Sequence, residues 1–352
     1  MKLTEPGEQG DLATSASEGP ARMLRRGVYA GMLVWIVCAV ASLGGLVQRY
    51  DLIELLLLFG PLVAVPGGLS MVVGSGGERN LRGEGFVAWL LLPAAFCAMA
   101  ARWVAPRLDF VPIDYLAAGF SLPWLLVTAL VALLGLQRIL KRGLAPIEET
   151  AIDVGLLYLP VGGGWLVLSS AGLTPMNFSA EIVLLTAVHF HFAGFSAAVI
   201  AGLAGRALKG GAALNESLRP FALKAYRAAA AIVIIGPPLV AVGIMGFPVV
   251  EVISGVALSA GMLLLAFLLV LIALSGRELL PKLLLCVAAL SLTATMALSM
   301  TYAAGEYRGE ELVSIATMAA THGVANVLGF TFCGGLGLIL LLRGRGKPTR
   351  QG

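Results

Sequence analysis

Thr186-Ala-Val-His189-Phe-His191-Phe-Ala-Gly-Phe195 holds two of the three histidines in a chain of 352 residues and lies near the middle of an apolar run from Ala180 to Ala204. As one helix, a run of that length reaches across the ~30 Å hydrocarbon core of a bilayer. The third histidine, His322, belongs to a second such run, within His322-Gly-Val-Ala-Asn326-Val-Leu-Gly-Phe330. Histidine is therefore confined to segments expected inside the membrane. Ionisable groups at that depth are costly and face the protein interior, so these three mark a candidate functional site.

Outward from this stretch, apolar runs recur near 27–48, 53–74, 84–105, 115–137, 151–171, 180–204, 228–247, 249–274, 282–303 and 315–342. The chain reads as all-α, a polytopic transmembrane helix bundle of about ten spans. Composition agrees, with 59% apolar residues, 12% charged residues and a mean hydropathy of +0.92. A soluble domain carries about 25% charged residues. The net charge of +4 is dispersed over short loops, which excludes a nucleic-acid footprint. Cys38, Cys97, Cys286 and Cys333 stand singly in apolar runs, so neither a thiolate metal site nor a disulfide framework is indicated.

Charge orients the spans. With ten crossings, only Arg49, Arg102, Arg107 and Arg308 of the 24 Lys and Arg fall on the side opposite the termini. By the positive-inside rule both termini are cytoplasmic, and the expected location is the bacterial cytoplasmic (inner) membrane. Residues 1–26 are polar and rich in Gly, Ser and Glu, and read as a disordered cytoplasmic tail. Residues 27–342 form the membrane domain, and 343–352 a basic cytoplasmic tail.

Gly60-Pro-Leu-Val-Ala-Val65 in the second span matches Pro238-Leu-Val-Ala-Val242 in the seventh. Those spans run in opposite directions, as in a 5+5 inverted repeat of the kind found in secondary transporters. Pro61, Pro66, Pro160, Pro237 and Pro238 each remove a backbone donor within a span. In lipid such breaks survive only where protein or a water-filled cavity satisfies the freed groups.

Two helix positions separated by two residues point about 200° apart, so His189 and His191 address different neighbours and cannot share one ion from a regular helix. Asn326 shares a face with His322 one turn deeper, where it can complete a polar site or set the tautomer of the imidazole. Thr186, Glu181, Thr293, Thr295, Tyr302 and Thr321 add polar groups in the outer half of the sixth, ninth and tenth spans.

At these motifs, together with Leu55-Leu-Leu-Leu-Phe-Gly-Pro-Leu-Val-Ala-Val-Pro66, the chain resembles the YndJ-like family of bacterial integral membrane proteins. Members are often labelled transporters, and some are longer at the C-terminus. The resemblance implies a multi-pass membrane protein, without a defined substrate. Val188-His-Phe-His191 is also similar to a segment of cytochrome oxidase subunit I in which two histidines on opposite sides of one helix serve two haems.

The leading expectation is a transporter of a small solute or ion, with no cofactor. Its site comprises His189, His191, His322, Asn326, Thr186 and Glu181 and opens outward, and its other partner is the lipid bilayer. The alternative is a redox or sensing protein in which His189, His191 and His322 ligate haem b or a divalent metal. An intramembrane metal hydrolase would need three ligands around one ion, which the helix geometry opposes.

Overall fold

The computed structural model describes residues 6–44, 52–73, 81–103, 113–210 and 216–345. Ten helices among them are long and apolar enough to cross a membrane. They are α1 (Pro6–Leu43), α2 (Leu52–Val72), α3 (Leu81–Trp103), α4 (Ile113–Arg142), α5 (Ile147–Ser170), α6 (Ala180–Lys209), α7 (Arg219–Ile244), α8 (Pro248–Ser275), α9 (Leu279–Arg308) and α10 (Ile315–Gly344). No strand occurs among the described residues. Each expected span finds its helix. α1 begins at Pro6, inside the stretch expected as a disordered tail, and its span-forming part is Gly19–Ser42. Residues 346–352, the end of the expected basic tail, lie outside the described residues. α7 and α8 are separate helices because Gly246 turns the chain at φ +119°, a conformation that favours glycine.

α2 and α6 form the centre. Leu57, Phe59 and Leu62 of α2 and Phe195, Ala198 and Ala201 of α6 are fully enclosed. A helix that is apolar all round is a buried one. α1 is peripheral, with Leu33, Ile36, Val37 and Val40 exposed along one side. In a bilayer that side contacts hydrocarbon, where it costs nothing.

Four stretches in three of the spans depart from α-helical winding. Gly60–Ala64 in α2, Phe190–Ser196 in α6, and both Ala319–Gly323 and Ala325–Gly334 in α10 are π-helical. Such turns are rare and concentrate at functional sites. The segments matched between the second and seventh spans differ in conformation: Gly60–Ala64 is π-helical, whereas Pro238 lies within the α-helical α7.

One proline break is answered by a side chain of a neighbouring helix. Pro238 lacks the N–H that the Ile234 carbonyl would accept, and the Tyr158 hydroxyl of α5 donates to that oxygen instead. Pro66 frees the Leu62 carbonyl in the same way. Gly31 of α1 packs directly on this oxygen, leaving no room for a Cβ.

Partly buried ion pairs staple both ends. At one end Arg102 of α3 donates to Glu54 of α2 at 2.5 Å and to Ser169 of α5 at 3.4 Å. At the other, Asp153 of α5 is fully buried between Arg138 and Arg142 of α4, with Arg142 Nη1 2.8 Å from its Oδ2. Glu149 receives Arg206 of α6 at two oxygens, 2.6 and 2.7 Å away, and Arg138 at 2.9 Å. Lys209 pairs with the buried Glu148 at 2.7 Å. Asp153→Ala leaves two arginines without their shared carboxylate. The expected cost is about 3–5 kcal/mol, read as a lower unfolding temperature of the detergent-solubilised protein.

Candidate functional site

His191 sits at the crossing of four helices and is fully buried. The Trp124 indole of α4 donates to His191 Nε2 at 2.9 Å, and the two rings stack at 5.9 Å with 20° between planes. An indole can only donate, so Nε2 is the acceptor. The ring proton therefore resides on Nδ1, which donates to the Ala187 carbonyl at 2.8 Å. The imidazole is held as one neutral tautomer with both nitrogens engaged. Glycines make its niche. A Cβ at Gly162 of α5 would come within 2.7 Å of His191 Nδ1, and one at Gly60 of α2 within 3.2 Å of its Cβ.

The π-helical turn that follows has its own consequence. Ser196 donates to the His191 carbonyl five residues back at 2.9 Å, and Gly194 lets Tyr158 approach, where a Cβ would lie 3.1 Å from the tyrosine Cβ.

His189 faces elsewhere. It is exposed although it lies about a third of the way along its span, and its Nδ1 donates to the Leu185 carbonyl at 2.7 Å. His322 of α10 is half-buried and donates from Nδ1 to the Thr295 carbonyl of α9 at 3.0 Å. Both rings therefore present Nε2 as an acceptor. The two imidazoles are close enough to interact electrostatically. At 1.5 Å per residue they lie roughly 13 and 10 Å along their helices from the same end of the bundle.

Thr295, fully buried, donates its hydroxyl to Leu292 O at 3.0 Å and to Asn326 Oδ1 at 3.1 Å, sharing one proton between them. The backbone carbonyl of Thr295, rather than the Asn326 amide, sets the His322 tautomer. The Asn326 amide nitrogen makes no hydrogen bond among the described residues. Glu181 and Glu251 occupy the first turns of α6 and α8. With Glu306 of α9, they lie within electrostatic range of Tyr302. Thr186 donates within its own helix, to Ile182 O at 2.7 Å.

Of the six candidates, His322 and Asn326 are joined through Thr295, His189 lies within electrostatic range of His322 and Glu181 within that of Tyr302, whereas His191 and Thr186 are engaged in packing and helix contacts. No cluster of three His, Cys, Asp or Glu side chains suited to a metal ion occurs among the described residues. Trp124 and Gly162 are not among the candidates that the sequence singles out. A tryptophan beside Pro123 and glycines within apolar spans were the available signals.

The architecture is that of a polytopic, all-helical membrane protein. Residues 55–330 match the family profile described as YndJ-like protein, and the chain belongs to that family. That range runs from the first motif to the last. The uncharacterised membrane protein YndJ of Bacillus subtilis (strain 168) is 32% identical over 211 residues, which cover 60% of this chain and 36% of that protein. The alignment thus spans about a third of the relative's length. No solved structure matches the chain.

Trp124→Phe removes the donor to a buried acceptor, at an expected cost of about 1–3 kcal/mol. His189→Ala, at an exposed position, should leave thermal unfolding nearly unchanged. Unfolding scans of the two variants side by side check this contrast.

Proposed function

We propose that this protein is a transporter of the bacterial cytoplasmic membrane, with both termini cytoplasmic, which takes a small cation or cationic solute into the cleft among α6, α9 and α10. One observation carries the reading. His189 and His322 each spend Nδ1 on a backbone carbonyl and leave Nε2 open, in electrostatic contact with one another. A carbonyl behind an imidazole fixes its orientation and raises its basicity toward whatever the other nitrogen holds. The acids at the rim, Glu181, Glu251 and Glu306, raise the local concentration of cations, and the Asn326 amide and Thr295 hydroxyl complete a polar floor. The basic residues concentrated on the terminal side support the orientation.

The π-helical winding of α6 and α10 supports a moving site. A π-turn holds one residue more than an α-turn, so migration of that extra residue along the helix rotates the side chains it passes. His322 lies in one such stretch and His189 directly precedes another. Alternating access by shifts of this kind needs no large domain motion.

The same open nitrogens favour a second reading, a resident divalent metal or a bis-histidine haem in a redox or sensing protein. In that case His189 and His322 are the ligands, because both nitrogens of His191 are taken.

Purified protein in proteoliposomes, assayed with a panel of monovalent and divalent cations, tests the two together. Transport predicts flux of at least one cation and a colourless, metal-free protein as purified. His189→Ala and His322→Ala should each lower flux about tenfold or more with little change in stability. A Soret band or stoichiometric metal lost in His322→Ala would replace the transporter with the resident-cofactor reading. Absence of flux and of any bound group would contradict both.

A further inference from the structure

Between the middle of the bundle and the end that carries Arg25 and Arg343, four helices leave a hole. A cavity of about 100 Å³ lies among Val28 of α1, Gly67 and Gly68 of α2, Leu203 of α6, and Gly335 and Ile339 of α10. A Cβ at Gly335 would meet nothing within 4 Å, and one at Gly67 would meet only Val28, at 3.8 Å. At these two positions glycine stands where a larger side chain would fit, whereas a Cβ at Gly68 would meet the Phe195 ring at 2.8 Å. Protein interiors leave few such voids, so the opening calls for an occupant. Its outer wall, α1, is the peripheral helix, and the lining is almost wholly apolar.

One turn beyond the cavity, the chemistry reverses. Arg25 precedes Val28 by one turn of α1, and Arg343 follows Ile339 by one turn of α10, each roughly 5–6 Å further along its helix. The two guanidinium groups lie within electrostatic range of each other, and Arg343 within that of Tyr29. Neither has an ion-pair partner among the described residues: Arg343 reaches only the Met71 Sδ, at 3.8 Å. Glu278 stands beside Gly344 without pairing with Arg343, and the neighbouring Arg206 is committed to Glu149. Two facing cations without an anion, next to an apolar slot of glycine origin, form an incomplete arrangement. Tyr29, 75% exposed one turn along α1, is the kind of ring found at headgroup level.

We propose that this groove binds one anionic phospholipid, with its phosphate bridging Arg25 and Arg343 and one acyl chain laid into the cavity. The site is independent of the transport reading, since it shares no residue with the cleft. The distance between charge and slot suits a lipid, whose phosphate and chain are covalently joined, better than a free anion, which would leave the cavity empty.

Native mass spectrometry of the detergent-purified full chain tests this, with phosphatidylglycerol and phosphatidylcholine offered in equal amounts. One phosphatidylglycerol should be retained in at least about tenfold preference. Arg25→Gln and Arg343→Gln should each reduce that preference about fivefold, whereas Arg343→Lys should keep most of it. Gly335→Leu fills the slot and should reduce lipid retention without lowering the unfolding temperature, which separates occupancy from misfolding. Equal retention of the two lipids, an unchanged preference in both glutamine variants, or full displacement by inorganic phosphate would overturn the proposal.

Discussion

A single buried hydrogen bond, from the Trp124 indole to His191, sets the register of the centre of this protein. Both partners lie in a dry crossing of α2, α4, α5 and α6, where an unpaired donor or acceptor costs more than it would in water. The bond therefore selects one axial and rotational setting of α4 against α6. Gly60 and Gly162 reinforce the choice, because any side chain at either position would push into the imidazole. Once His191 is pinned, His189 must point away from that crossing, toward α10, and its exposure follows.

The π-helical turns and the ion pairs complete this frame. In α6 the wider winding after His189 brings Ser196 back onto the His191 carbonyl. In α10 it covers His322, Asn326 and Phe330, and in α2 it covers Gly60 and Pro61. All three π-helical regions overlap the sequence motifs on which the family resemblance rests, at 55–66, 186–195 and 322–330. The ends are held differently, by Arg102 with Glu54 at one end and by the arginine and carboxylate network around Asp153 and Glu149 at the other. Rigid ends and an irregular middle place the deformable backbone beside the open histidines.

The spans could be read directly from the sequence because length and hydropathy suffice to identify a helix in a bilayer, and the histidines stood out because they occur nowhere else. Their roles could not be read in the same way. Trp124 lies 67 residues before His191, and no local spacing reports a contact across that separation. Opposite facing of His189 and His191 follows from helix geometry, but which of them is buried depends on the neighbours. Arg138, Arg142, Glu149 and Asp153 carried a readable sign: two pairs at i, i+4 flanking a short loop, which an antiparallel hairpin brings together. The positive-inside count takes the two arginines as topology charges alone and gives the two carboxylates no role. π-Helical winding had a local cue at Pro61 alone, since no proline falls inside the π-helical stretches of α6 and α10.

With three histidines in the chain, an ¹⁵N spectrum of histidine-labelled protein in detergent micelles can resolve each ring. Recorded before and after titration with a cation transported in the proteoliposome assay, it addresses the division of labour among them most directly. The account predicts that His191 shows the neutral Nδ1–H pattern throughout, while the Nε2 signals of His189 and His322 shift together on addition of the ion. A His191 signal that moves with the ion, or His189 and His322 signals that stay fixed, would contradict the assignment of one imidazole to architecture and two to the ligand.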